Sequence, residues 1–228
     1  MMHILLGNWY SHIIPNIAHS KFLVTFRYGL TPLHQSIIQG NLTAAGELLL
    51  NVGNLEDGLE PIDVQKCTPL HYCAMYDKEK LTNILLQKGA NRYALNIDKR
   101  TALHEACGIG SLPIVKLLLN MNKDDDEENA LNIEEEEHIS EEMEDKKTAD
   151  DINWKDEEGD TPLMMAIESG SKEIVELLLK LKADPNDPNE AETYPMHVAA
   201  KEGAVDIMEL LIDVSDIFVN LIKDIFIN

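Results

Sequence analysis

Apolar residues in this chain come as short paired stripes at helical spacing, each pair closed by a polar turn. Residues 68–91, TPLHYCAMYDKEKLTNILLQKGAN, show the unit once: a helix-start signal at Thr68, two apolar stripes, and a glycine turn at Gly89. Neither predicted helix is long enough to bury its own apolar side. The unit makes sense only with near-copies stacked on either side.

Those copies exist. TPLH at Thr31, TPLH at Thr68, TALH at Thr101, TPLM at Thr161 and YPMH at Tyr194 are separated by 37, 33, 60 and 33 residues. The 60 is one 33-residue period plus an insertion of 27 residues, and the 37 is the period plus four. About six residues after the His position stands Gly40, Gly110, Gly170 or Gly203, with Asp77 in the second copy. A leucine run then ends at Leu50, Leu86, Leu119, Leu179 and Ile212. Each position has a physical role. The Thr hydroxyl caps a helix N-terminus, and Pro fits the first turn, where its missing N–H costs nothing. The glycine permits the tight turn into the second helix, whose leucines pack against the first helix and the neighbouring copies.

The period of 33 and the T-P-L-H-x-A signature resemble the ankyrin repeat over about residues 29–212. The resemblance implies an all-α solenoid of about five helix-turn-helix repeats. Repeats 1–3 occupy 29–120 and repeats 4–5 occupy 151–213. An N-terminal extension or cap covers 1–28, an acidic insertion 121–150, and an amphipathic helix 214–228. Thr31, His34, Thr68, His71, Thr101, His104, Thr161 and His197 are then structural repeat positions. A solenoid lines the histidines up along the stack and does not converge them on one ion. In this family the histidine is a hydrogen-bonding residue of the helix start. Met164 replaces it in the fourth repeat, which predicts a less polar cap there.

Composition narrows the function. Hydrophobic residues make up 44% and aromatics only 5%, so the core is Leu, Ile, Val and Ala. A net charge of −22 argues against nucleic acid, which needs a basic stripe, and against an anionic membrane surface. Cys67, Cys73 and Cys107 are odd in number and lack a CxxC pair, so neither a disulfide framework nor a zinc site is indicated. No apolar run reaches the roughly 18–20 residues that span a bilayer. The start, MMHILLGNWY, lacks the basic region of a signal peptide. A cytoplasmic setting is expected. No enzyme signature appears, and no cofactor or metal is expected. The insertion over 122–150 holds 14 acidic residues and three lysines, half of the chain's net charge, and predicts a disordered loop. Docking of a basic partner or weak divalent-cation binding are competing roles for it, but no EF-hand spacing supports the second.

The resemblance further implies binding of other proteins in a concave groove formed by finger-like turns and first helices. The candidate contact residues are Asp98, Arg100, Trp154 and Lys155 on the fingers, with Asn96, Lys99, Asp156 and Glu157 beside them. On the first helices they are Tyr72, Glu105 and Met165, in line with Gln35 and Val198. Trp154 is the candidate anchor, since exposed aromatics often act as hot spots. The stretches GDTPLMMAIESGSKEIVELLLKLKADPN and YPMHVAAKEGAVDIMELLI also resemble the cytosolic ankyrin array of transient receptor potential A-type cation channels. Two expectations follow. The chain is a piece of such an array, contacting neighbouring repeats of a longer channel polypeptide at the cytosolic face of a membrane. Alternatively, it is a free-standing adaptor.

Overall fold

The computed structural model describes residues 27–50, 61–121 and 152–214. The expected N-terminal cap, the acidic insertion and the C-terminal amphipathic helix lie outside these residues, apart from a few at their edges. After a short 3-10 turn, Arg27–Gly29, five helix pairs follow. They are α1 (Pro32–Ile38) with α2 (Leu42–Leu50), and α3 (Pro69–Met75) with α4 (Glu79–Gln87). Next come α5 (Ala102–Ile109) with α6 (Leu112–Leu118), and α7 (Pro162–Glu168) with α8 (Lys172–Lys180). The last pair is α9 (Pro195–Glu202) with α10 (Val205–Val214). Each pair packs on the next, giving an inner column α1-α3-α5-α7-α9 and an outer column α2-α4-α6-α8-α10. The described fold is the all-helical solenoid expected from the repeat.

The helix starts explain why the repeat needs its polar residues. Thr31, Thr68, Thr101 and Thr161 hold extended backbone, with φ between −84° and −95°, and a first-turn Pro follows all but Thr101. The Thr31 N–H donates to His34 Nδ1 at 3.1 Å. Thr68 and His71 repeat this at 3.1 Å, and Thr101 and His104 at 3.2 Å. Nδ1 therefore keeps its lone pair, and the proton of the neutral ring sits on Nε2. That proton reaches the next repeat: His71 Nε2 donates to the Arg100 carbonyl at 3.0 Å, and His104 Nε2 to the Trp154 carbonyl at 2.9 Å.

The ladder of inter-repeat bonds is incomplete at both ends. His34 Nε2 is buried, and its weak backbone hydrogen bond with Cys67 falls short of the geometry that His71 and His104 reach. In the fourth repeat Met164 has only its own N–H to offer, which donates to Thr161 Oγ1 at 3.4 Å. The cap is less polar there, as expected, and Met164 fills its buried place with apolar volume. His197 is exposed, with its ring set edge-on to Tyr194.

Between the two helices of each pair the chain turns through a left-handed residue. Gly40, Gly110, Gly170 and Gly203 take φ of 66°, 79°, 69° and 68°. Asp77 adopts the same conformation at 52°, and its carboxylate accepts from Ser111 Oγ at 2.5 Å. The core is a continuous file of aliphatic side chains. Leu85, Leu118, Leu178 and Leu211 occupy one register position and are buried, and in the first repeat Leu49, one position later, is buried in their place. Cys67, Cys73 and Cys107 are free and buried, as small apolar side chains.

Candidate functional site

Five residues before the helix-start positions of repeats 2 to 5 stand Asp63, Asn96, Asp156 and Asn189, and this column builds the finger turns. Each side chain accepts two main-chain N–H groups with one oxygen. Asp63 Oδ1 binds Gln65 and Cys67, both at 2.8 Å, and Asn96 Oδ1 binds Asp98 and Arg100 at 3.0 and 2.9 Å. Asp156 Oδ1 binds Glu158 and Asp160 at 3.0 and 2.8 Å, and Asn189 Oδ1 binds Ala191 and Thr193 at 3.0 and 2.9 Å. Adjacent fingers are joined by single main-chain rungs. Ile97 N–H donates to Gln65 O at 2.7 Å, Glu157 N–H to Asp98 O at 2.8 Å, and Glu190 N–H to Glu158 O at 3.0 Å. The same turn and the same rung thus recur along the finger row.

The second polar atom of each column residue ties the turn to a neighbour. Tyr72 OH donates to Asp63 Oδ2 at 2.7 Å, and Asn96 Nδ2 to Glu105 Oε1 at 3.4 Å, both within one repeat. Arg100 Nε donates to Asp156 Oδ2 at 2.8 Å, and Asn189 Nδ2 to Asp160 Oδ1 at 2.8 Å, both between repeats. This column was visible in the sequence as D/N-x4-T/Y in DVQKCT, NIDKRT, DEEGDT and NEAETY. Only Asn96 and Asp156 were singled out there, as finger residues and not as turn builders.

The candidate contact residues fall into distinct settings. Tyr72 is half-buried, edge-on to the His34 ring at 5.0 Å and stacked on Tyr76 with centroids 6.1 Å apart. Burial, with the Asp63 hydrogen bond and charge, raises its phenol pKa. Glu105 is half-buried; burial and the Asp98 and Asp156 charges raise its carboxyl pKa, against the pull of Arg100. Met165 lies over Gly108 of the preceding repeat, where a Cβ added to that glycine would come within 3.3 Å of Met165 Cε. Asp98 and Lys155 are exposed, and Lys155 Nζ donates to Asp187 Oδ1 at 2.6 Å and to the Pro188 carbonyl at 2.8 Å. Trp154 borders a cavity of about 70 Å³ with Arg92, Tyr93, Leu103, Leu118 and Leu119. Arg92 closes its edge by donating to the Leu118 carbonyl at 2.9 Å. One position differs from expectation: Val198, in line with Tyr72 on the first helices, is buried. Its short branched side chain stays within the core on α9, whereas the longer Tyr72, Glu105 and Met165 extend past it.

Among the described residues no group of three or more His, Cys, Asp or Glu side chains is arranged to hold a metal ion. No helix among them is long and apolar enough to cross a membrane.

Comparison with known proteins agrees with this architecture. The family described as "Ankyrin repeats (many copies)" matches residues 59–119, and "Ankyrin repeats (3 copies)" matches residues 137–222. The chain is 26% identical over 180 residues to transient receptor potential cation channel subfamily A member 1 of Homo sapiens. That match covers 79% of this chain and 14% of the channel. It is 25% identical over 186 residues to the probable 26S proteasome regulatory subunit p28 of Saccharomyces cerevisiae, covering 79% of this chain and 68% of that one. It is 26% identical over 190 residues to the B-cell lymphoma 3 protein homolog of Mus musculus, covering 81% and 36%. The repeated helix pairs, the capped helix starts and these matches establish that the chain belongs to the ankyrin-repeat family.

Proposed function

We propose that the chain is a non-catalytic module that binds other proteins across its finger turns and first helices. One observation supports this reading above the others. The finger backbone repeats almost unchanged, while the side chain at one and the same turn position changes from Val64 to Ile97, Glu157 and Glu190. Packing does not dictate these exposed residues, so the surface is open to selection for a partner. The test is selection of binders from a displayed library of protein fragments, followed by hydrogen exchange of the complex. Protection confined to residues 62–66, 95–99 and 155–159 and the first helices supports the reading. Protection confined to the second helices overturns it.

A second reading, membership of a longer channel array, is favoured by the likeness to the human channel subunit. Likeness of the same degree to the proteasome subunit and the B-cell lymphoma homolog fits a free-standing adaptor equally. Fractionation of source cells with an antibody to this chain separates the two. A band near 25.6 kDa in the soluble fraction supports an adaptor acting in the cytoplasm. A much larger band in the membrane pellet supports the array.

A further inference from the structure

The variation along the inner face is ordered. In repeats 2 and 3, two aligned columns expose apolar side chains. Val64 and Ile97 on the fingers are 57% and 46% exposed, and Tyr76 and Ile109 at the ends of the first helices are 43% and 54% exposed. In repeats 4 and 5 the same finger positions carry Glu157 and Glu190, and the same helix positions carry Ser169 and Glu202. Both columns change character at the same boundary, between repeats 3 and 4. The exposed Glu158, Glu168 and Glu192 add to the acidic half. Lys155 is held by Asp187, whereas Lys201 pairs with Glu202 at 3.5 Å, so the acidic half rests on Glu157, Glu158, Glu168, Glu190 and Glu192. At the tips of the apolar half stand Lys66 and Lys99, with the exposed Asp98 beside Lys99, so these tips carry one net positive charge, which disfavours a cationic segment there.

Resting on the protein-binding reading, we infer that this face holds one extended segment of a partner protein, made of a short apolar stretch beside a short run of lysine or arginine. The apolar stretch lies against Val64, Tyr76, Ile97 and Ile109. The basic run lies against the glutamates of repeats 4 and 5. Charge complementarity selects the basic half and orients the segment, while apolar burial supplies contact that salt does not screen. Neighbouring first helices pack about 8–10 Å apart, so four repeats span about 30 Å, or about nine residues of extended chain.

The experiment uses the full chain and two synthetic peptides of about ten residues with identical composition. In one, the apolar residues and the lysines form two blocks; in the other they alternate. Non-specific attraction to a chain of charge −22 is the same for both. The blocked peptide is expected to bind about tenfold tighter, by fluorescence anisotropy at about 0.15 M salt. Val64→Asp with Ile97→Asp, and separately Glu157→Lys with Glu190→Lys, reduce it to the level of the alternating peptide. These positions are exposed, and an unchanged melting temperature confirms that the fold is intact. Equal affinity for the two peptides, abolished by the finger substitutions, overturns the two-part assignment and keeps the face as a binding surface. Binding insensitive to every finger substitution overturns both readings. Absence of binding by either peptide below about 1 mM overturns the two-part assignment. So does a dimer of the chain that dissociates with Val64→Asp and Ile97→Asp, because a second copy then covers the apolar half.

Discussion

Arg100 and Asp156 lie 56 positions apart and meet at 2.8 Å, joining the third finger to the fourth. The Asp156 side chain is almost fully buried, yet its carboxylate is fully engaged. One oxygen takes the Arg100 guanidinium and the other takes two main-chain N–H groups. Asp156 thus does two jobs, turn building and repeat coupling, and substitution separates them. Asp156→Asn keeps an acceptor for the turn and loses the ion pair, at a cost of about 1 kcal/mol. Asp156→Ala also orphans the Glu158 and Asp160 amides and costs about 3 kcal/mol. Urea denaturation of the two variants measures the difference, and equal losses would show that the turn role is absent.

Gly159 closes the same finger with φ of +82°, and a Cβ added there would stand 2.6 Å from the Glu190 amide nitrogen of the next finger. Lys66, Lys99 and Glu192 hold positive φ at the equivalent turn position, so the dihedral alone does not demand glycine. The close approach does. Gly159→Ala is expected to destabilise by about 2 kcal/mol or more, through loss of the rung. Gly89→Ala, at φ of +86° with open space around the new methyl, carries only the dihedral cost of about 1 kcal/mol. Thermal melts of the two variants check the contrast.

The buried histidines make stability depend on pH. Burial lowers the pKa of His34 and of His104 to about 4, and that of His71 falls for the same reason. The unfolded chain binds these protons near pH 6.5, and the folded chain does not. Their contribution is therefore complete above about pH 6.5 and is lost as pH falls toward 4. Protonation also removes the Nδ1 lone pair that accepts the threonine N–H. Falling pH relieves the repulsion within a chain of charge −22, which acts in the opposite direction. A drop in urea midpoint between pH 6.5 and 5 consequently reports the histidines, and no drop at high salt, where the charge repulsion is screened, would show that their rings are not held neutral.

The thiols are expected to be silent in the native state. Burial pushes Cys67 and Cys73 up to about 12 and raises Cys107 as well. At pH 8 a thiol reagent is expected to label none of the three until denaturant is added. Fast labelling of the folded chain would contradict their burial.

Much of this architecture was legible in the chain. The five TPLH-like starts, the glycine column and the leucine runs located every described helix pair, because helix periodicity and capping are local effects. The departures were legible too: Asp77 in the glycine column takes the left-handed turn, and Met164 leaves a single-bond cap. The finger column of Asp63, Asn96, Asp156 and Asn189 was present in the sequence. Its meaning emerged only with the turns, since four short D/N-x4-T/Y strings do not reveal which amides they bind.

Local sequence therefore decided the unit, its number and its stacking axis, since each depends on contacts within about 33 residues or on a repeated copy of them. What reaches across the stack was decided by tertiary structure. The His71 and His104 bonds reach carbonyls of the following repeat, and the Arg100–Asp156 pair spans the insertion. Side chains that vary from repeat to repeat acquire neighbours only when the solenoid brings equivalent positions side by side. The same alignment sets Val64 and Ile97 in line with Glu157 and Glu190, turning four scattered residues into one face with an apolar half and an acidic half.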